Sequence, residues 1–465
     1  MDRRTLVAAG LSALPLRAAA QSNVQWAGIP RLMQGPLLGW RQPGAMAIWT
    51  RVSGEHLVAI EYDTDPGFRT ARRSEPLQAS AAQDFAQTHR LTDLRPGADY
   101  VYRVLINGRP NPDDVNRQPY RLRVEEADPR RFRIAFGSCA RRARYPVQPI
   151  WQAIEAARPD LFLWVGDNVY ADSPDPAITA EEHRRQRDLP EIRAFLAQTP
   201  QLAIWDDHDY GMNDHDRRHP HREGALETFI RYWPNPSAGI TGTPGAFFHC
   251  EIGGVAFFFL DVRYHRDPNE DPDTPAKTML GAPQFDWLVK GLRASKAIFK
   301  VLISGSGWTD AKGPGADSWA AFTHERKRLF EVIAGVPGVL LVSGDTHYGE
   351  ANALLTESPQ AYDLYEFVSS PLAQDTSTTY LDNRPIPRVR PPFSADVNFG
   401  LLDFDLTGPD PTVSFQLRDE RGGAAWSPVV LRASDLVPGA RSWSRIAEPQ
   451  SETRWRRHQA GGRYF

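Results

Sequence analysis

Five apolar runs in this chain each end in a side chain that can bind a metal or move a proton. They close on Cys139, on Asp167 with Tyr170, on Asp207 with His208 and Asn213, on Asp261, and on Asp345 with His347. The densest is Trp205 to Asp214, which places Asp206, Asp207, Asp209, Asp214, His208 and Asn213 directly behind the apolar Leu202-Ala203-Ile204. Carboxylates gathered at the end of a buried strand are costly unless a cation compensates them. Taken alone, the stretch reads equally well as a solvated acidic loop. An acid after any single strand is also an ordinary turn or helix cap. Five such ends in order along one domain are hard to explain by capping, and they point to one shared metal site.

The donors are of two kinds. Asp167, Asp207, Asp345 and Asn213 offer hard oxygen suited to an ion such as Ca²⁺. Cys139, Tyr170 and His347 suit a transition metal better. A shared carboxylate would bridge two ions, and Asp167 is the choice because it leaves its strand most abruptly. Two ions about 4 Å apart would clamp the oxygens of a phosphate ester and generate hydroxide at moderate pH. His208, flanked by acids, would protonate the leaving alcohol or bond a phosphate oxygen. The plainer alternative for His208 is a surface histidine without a role, since His215, His219 and His221 lie nearby.

These groups can meet only if a sheet carries them. From Arg133 onwards short apolar runs alternate with helical patterns: runs at 133–139, 161–167, 253–261, 299–304 and 339–347, helices at 149–157, 181–198, 225–233, 284–295 and 324–332. That alternation marks a layered α/β domain whose strand ends form the ligand edge. A hairpin at 400–405 and 412–418 would complete a second sheet. Residues 26–124 differ: short alternating runs such as Ala45 to Thr50 and Leu57 to Tyr62, broken by turns, predict an all-β sandwich. The Pro96-Gly97 corner before Tyr100-Val101-Tyr102 resembles the late strand of fibronectin type III-like domains, and Asn107-Gly108 is a hairpin turn. The polar stretch from Asn111 to Arg131 reads as a linker, and that from Glu448 to Phe465 as a tail or extended arm.

At 465 residues with 41% hydrophobic content the chain is folded and multidomain. A net charge of -3 argues against a general nucleic-acid binder. Arg3-Arg4, the apolar stretch from Leu6 to Leu16 and the alanines before Gln21 compose an export signal, with the paired arginines favouring the Tat route over Sec. No later run is long enough to span a membrane. Cys139 and Cys250, the two cysteines, would form one disulfide in an exported protein by default. Alternatively, Cys139 is a ligand.

Gly137-Ser138-Cys139, Gly166 to Asp172, Asp206-Asp207-His208-Asp209 with Asn213-Asp214, Leu260 to Arg263, and Ser343 to His347 together resemble the ordered motif set of PhoD-like alkaline phosphatases, over about residues 130–405. The resemblance implies a four-layer α/β/β/α metallophosphatase core at 126–435 behind an N-terminal β-sandwich at 21–125, a signal at 1–20 and a tail at 436–465. It implies an exported, periplasmic or secreted hydrolase of small-molecule phosphate monoesters and diesters, using Fe³⁺ and Ca²⁺ and acting as a monomer. Carried over motif by motif, Cys139, Asp167 and Tyr170 would hold iron with His347. Asp167, Asn213 and Asp345 would serve calcium, Asp207 lies beside them, and Arg263 would contact the phosphate. A thiolate on iron leaves no disulfide to Cys250. The rival readings are a phosphodiesterase or phospholipase-type enzyme on the same site, and a calcium-dependent binding protein.

Overall fold

The computed structural model describes residues 29–114, 117–379 and 385–461. The expected export signal at 1–20 lies outside them. The N-terminal region is all β. A three-stranded antiparallel sheet of Leu32–Gln42, Ala45–Val52 and Ala86–Leu91 faces a second sheet built around Leu57–Asp63 and Asp99–Ile106. Alternate residues of both, among them Ile48, Val58, Ile60, Tyr102 and Val104, fill the space between as strand periodicity requires.

The rest of the chain forms two six-stranded mixed sheets. The first runs in the order Gln201–Ile204, Leu161–Val165, Arg131–Gly137, Asn398–Asp405, Thr412–Asp419, Val429–Arg432. Its first three strands are parallel and the others antiparallel. The second runs Phe248–Ile252, Val255–Leu260, Phe299–Ser304, Val339–Ser343, Leu364–Val368, Glu350–Leu354, with the four inner strands parallel. Aromatic pairs join the two sheets face to face: Phe404 meets Phe257 and Phe299, and Phe415 stacks on Phe367 at 4.4 Å. On the outer faces, Trp151 of the helix Ile150–Ala156 packs on Trp164, and Trp287 of the helix Ala282–Ala294 packs on Phe258. Helix, sheet, sheet and helix thus stack in four layers. The parallel strands of both sheets deliver their carboxyl ends to one edge.

Two local expectations change. The single helix expected over 181–198 is two helices, Pro176–Arg187 and Pro190–Gln198, because proline at 190 can start a helix but not continue one. The stretch expected as a polar tail is helical at Trp443–Ile446 and Pro449–Gln459. Among the described residues no helix is long and apolar enough to cross a membrane.

The β region docks on both Pro176–Arg187 and Pro190–Gln198: Tyr102 donates its hydroxyl to the Ala197 carbonyl of the second at 2.7 Å, and Trp49 meets Arg187 of the first. Arg187, 2% exposed, has no acidic partner in contact among the described residues; its guanidinium lies 5.2 Å from the Trp49 ring of the β region and 4.6 Å from the Trp233 ring. It donates to the carbonyls of His183 and Tyr232 at 3.0 and 2.8 Å. Arg187→Leu would strip the cation from this aromatic cage and leave both carbonyls unmatched, at a cost of about 2–4 kcal/mol. Limited proteolysis should show the β region released sooner in that variant than in wild type.

Candidate metal centre

The strand ends are forced close together. A Cβ on Gly344 would lie 2.4 Å from Ser138 Oγ, and one on Gly166, whose φ is +97°, would lie 2.7 Å from Asp206 Cβ. Only glycine fits these crossings. Ser138 Oγ accepts the Asp345 N–H at 3.2 Å, which ties the first strand to the last. Beyond them, Cys139, Asp167, Asp172, Asp214, Asp345 and His347 all have φ between 47° and 68°. Left-handed backbone at six non-glycine residues around one edge is costly, and such strain gathers at functional sites.

Cys139, Asp167, Tyr170 and His347 converge. Cys139 Sγ is buried and 3.4 Å from Asp167 Oδ2, with the Ser370 hydroxyl donating to the sulfur at 3.3 Å. Tyr170 donates its phenol to the same Asp167 oxygen at 3.2 Å and lies 3.3 Å from His347 Nε2. Both cysteines are free, so the disulfide alternative does not hold. Asp167 Oδ1 accepts the His208 N–H at 3.3 Å.

Asp207 is the hub of the second half. Asp167, Asp207 and His208 bring ligand atoms within 4.8 Å of one another, and so do Asp207, Asp214 and Asp317. Asp207 is therefore the carboxylate common to both groups. Its Oδ2 accepts the Asp214 N–H at 2.8 Å, and its Oδ1 is buried with no hydrogen-bond partner among the described residues. Asp345 is paired with Lys312, and Asn213 is exposed on the wall of the recess that these residues line, a cavity of about 800 Å³.

Without a cation this set is electrostatically incomplete. Burial, then Cys139 and Asp207, push the Asp167 carboxyl well above its usual range. Burial likewise pushes the Cys139 thiol up to about 11 and the Tyr170 phenol higher still than usual. Burial opposes a charge on His208, but Asp167, Asp207 and Asp172 together raise it to about 10. A thiol, a phenol and a carboxyl that burial keeps protonated fit a metal site, standing beside Asp207, whose carboxyl Arg263 and His208 hold below its usual range against burial and whose Oδ1 accepts no hydrogen bond among the described residues.

Other expected residues land elsewhere. Asp261 caps a turn: it accepts from Trp205 Nε1 and from the backbone N–H groups of Ala246, Arg263 and Tyr264 at 2.8–3.0 Å. Asp209 serves the backbone N–H of Asp206 and the backbone and side chain of Asn168. Arg263 is fully buried, bound to Asp206 and doubly to Asp317, and no part of it lines the recess. Asp317 and Lys312, in a glycine-rich loop, and Asp172, which holds His208 Nδ1, were not among the expected site residues. Asp172 sits inside a motif already noticed. The loop had no apolar strand to point to it.

Residues 134–408, more than half of the chain, match the family model of the PhoD-like phosphatases. The chain belongs to that family. Residues 18–118 match the PhoD-like phosphatase N-terminal domain. Alkaline phosphatase D of Bacillus subtilis (strain 168) is 22% identical over 373 residues, which cover 67% of this chain and 63% of that relative, under two thirds of its length. The solved structure of PhoD superposes with a TM-score of 0.70 at 18% identity, covering 91% of this chain and 95% of that one. Purple acid phosphatase PPD1 from yellow lupin (Lupinus luteus) seeds gives a TM-score of 0.59 at 12% identity, covering 88% and 75%. At these identities the likeness is one of fold, and this PhoD-like chain shares its two-sheet core with both.

Proposed function

We propose that this chain is an exported, metal-dependent phosphoric-ester hydrolase of the alkaline phosphatase kind, acting on small-molecule monoesters and diesters. The observation that carries the reading is the meeting of Cys139, Tyr170, His347 and Asp167 through contacts of 3.2 to 3.4 Å. In this reading Cys139, Asp167, Tyr170 and His347 hold iron(III). Asp207, Asn213 and Asp345 serve calcium, joined by Asp214 and Asp317. When bound, such ions supply Lewis acidity toward a phosphoryl oxygen and toward water. Export rests on the signal read at 1–20, and a mature protein starting at Gln21 would support it.

The chain's own groups do the remaining work. Asp172 takes His208 Nδ1, and the ring of Tyr170 stacks on the imidazole at 4.2 Å, so the ring is fixed with Nε2 left for the substrate. A protonated His208 then hands its proton to the leaving oxygen. Arg263 acts as a positioning residue that holds Asp206 and Asp317 beneath the site.

Metal content measured beside turnover of a monoester and a diester tests the reading. Iron and calcium bound with ester hydrolysis are expected; hydrolysis of neither ester by metal-loaded protein would overturn it. His208→Ala should lower kcat by about 100-fold on alkyl phosphates, whose alkoxide needs a proton, and by less than about tenfold on p-nitrophenyl phosphate. Equal losses on both would remove the proton-donor role.

A further inference from the structure

With Arg263 buried against Asp206 and Asp317, the site still needs a side-chain cation for the phosphate. Among the described residues, the lysine and arginine side chains that line the recess are Lys312 and Arg218. Arg218 is 60% exposed and is taken up by Asp216 at 2.6 Å and by Glu270 at 2.9 Å. Lys312 stands differently. Its side chain is only 9% exposed, its ammonium is held on the Asp345 carboxylate, and it donates to the Asp317 carbonyl at 3.2 Å. The charge therefore sits between two of the residues that the metal reading gives to calcium.

The loop is built to keep it there. Residues 309–318 follow the strand Phe299–Ser304 and turn at Gly313 and Gly315, whose φ values of +92° and +74° suit glycine. Both ends are tied down. Asp310 accepts from Arg326 at 2.6 Å, and Asp317 accepts from Arg263 and from Arg266, each at 2.6 Å. A fixed loop thus carries a flexible four-carbon stem whose three N–H donors can rotate toward a new acceptor.

Asp345 belongs to the calcium set, so its carboxylate turns to the ion when one is bound, and the ammonium gives up part of that bond. A phosphoryl oxygen is the acceptor nearest in kind, and charge-assisted bonds to phosphate are strong ones. Two ions clamp two of the phosphoryl oxygens. A monoester has a third non-bridging oxygen and, above a second pKa of about 6, a second negative charge. In a diester that oxygen carries carbon, and the second charge is gone.

We infer that Lys312 binds the third non-bridging oxygen of the substrate phosphate and makes the site select dianionic monoesters over diesters. The inference rests on the phosphatase reading above and narrows its substrate class. Lys312 takes the contact that the family resemblance gave to Arg263.

The test uses the full chain loaded with iron and calcium. It compares p-nitrophenyl phosphate with methyl p-nitrophenyl phosphate, which has the same leaving group and differs at that third oxygen. Lys312→Met, similar in length and uncharged, should lower kcat/KM on the monoester at least about tenfold more than on the methyl diester. Calorimetric affinity for inorganic phosphate should weaken at least about tenfold in the same variant. Its calcium affinity should hold or rise, because a competing cation has left Asp345. Lys312→Arg should recover part of the phosphate affinity. Weaker calcium binding by Lys312→Met would make the lysine a prop for Asp345 and overturn the inference. So would equal losses on the two esters, or an unchanged affinity for phosphate. Failure of wild type to hydrolyse either ester would instead strike the phosphatase reading, and the inference with it.

Discussion

Cys139→Ser should abolish bound iron and phosphate-ester turnover together, with kcat/KM lower by at least about 100-fold. The serine hydroxyl nearly matches the thiol in size and can keep the contact with Ser370, so the fold should survive. What is lost is ionisation. Burial holds the thiol protonated up to about 11, yet a metal displaces that proton readily from sulfur, whereas a serine hydroxyl in the same buried position keeps it. A thiolate and a phenolate on iron(III) would colour the wild-type protein, and the variant should lose most of that absorbance. Elemental analysis, the visible spectrum and the melting temperature, measured on the same preparations, separate loss of metal from loss of fold. Full activity in a colourless variant would return Cys139 to an ordinary buried residue. Cys250→Ser, in the strand Phe248–Ile252, should change neither iron nor turnover.

Much of this site was legible because parallel strands write their ligands in a regular place. Cys139, Asp167 and Asp345 each follow a buried apolar run by a glycine-containing turn, and the structure brings those ends to one edge. The same rule overreached at Asp261, which follows an equally apolar run but spends both oxygens on a turn. No pattern in the sequence distinguishes a carboxylate facing a cavity from one turned back on its own backbone. Asp207 shows the reverse difficulty. Its neighbours Asp206 and Asp209 look identical in sequence, yet Asp206 is bound by Arg263 and Asp209 by the N–H groups of Asp206 and Asn168, while Asp207, 3.7 Å from the same arginine, faces both groups of ligands. Asp317 was invisible because it reaches the site from a loop held by long-range ion pairs, which carry no local periodicity. The family resemblance gave Arg263 to the phosphate, whereas the structure holds its guanidinium buried against Asp206 and Asp317, with Asp207 at 3.7 Å.

That commitment makes Arg263→Leu the substitution expected to cost most in stability. Its side chain is 0% exposed; Nε binds Asp206, and Nη1 and Nη2 bind Asp317 at 3.0 and 2.6 Å. Leucine fills part of the space but leaves Asp206 buried with no other cation in contact among the described residues, and Asp317 with Arg266 as its remaining arginine. Removing one partner of a buried pair costs about 3–5 kcal/mol, because the remaining charge stays out of water. Arg263→Lys should fall between, since a single ammonium cannot span both carboxylates as the planar guanidinium does. Acidity gives the signature. Burial would raise the Asp317 carboxyl, but Arg263 and Arg266 outweigh it and hold the group below its ordinary range. A depressed carboxyl adds stability that is complete above its unfolded pKa of about 4 and is lost as pH falls through the lower folded value. The gap between wild type and Arg263→Leu, read from denaturant unfolding, should therefore be widest above about pH 5 and narrow on acidification. A variant as stable as wild type at every pH, with substrate affinity lost, would place the guanidinium on the phosphate after all. A destabilised variant whose residual folded fraction keeps its KM would leave Arg263 as the cation that holds Asp206 and Asp317 in place beneath the metal cluster.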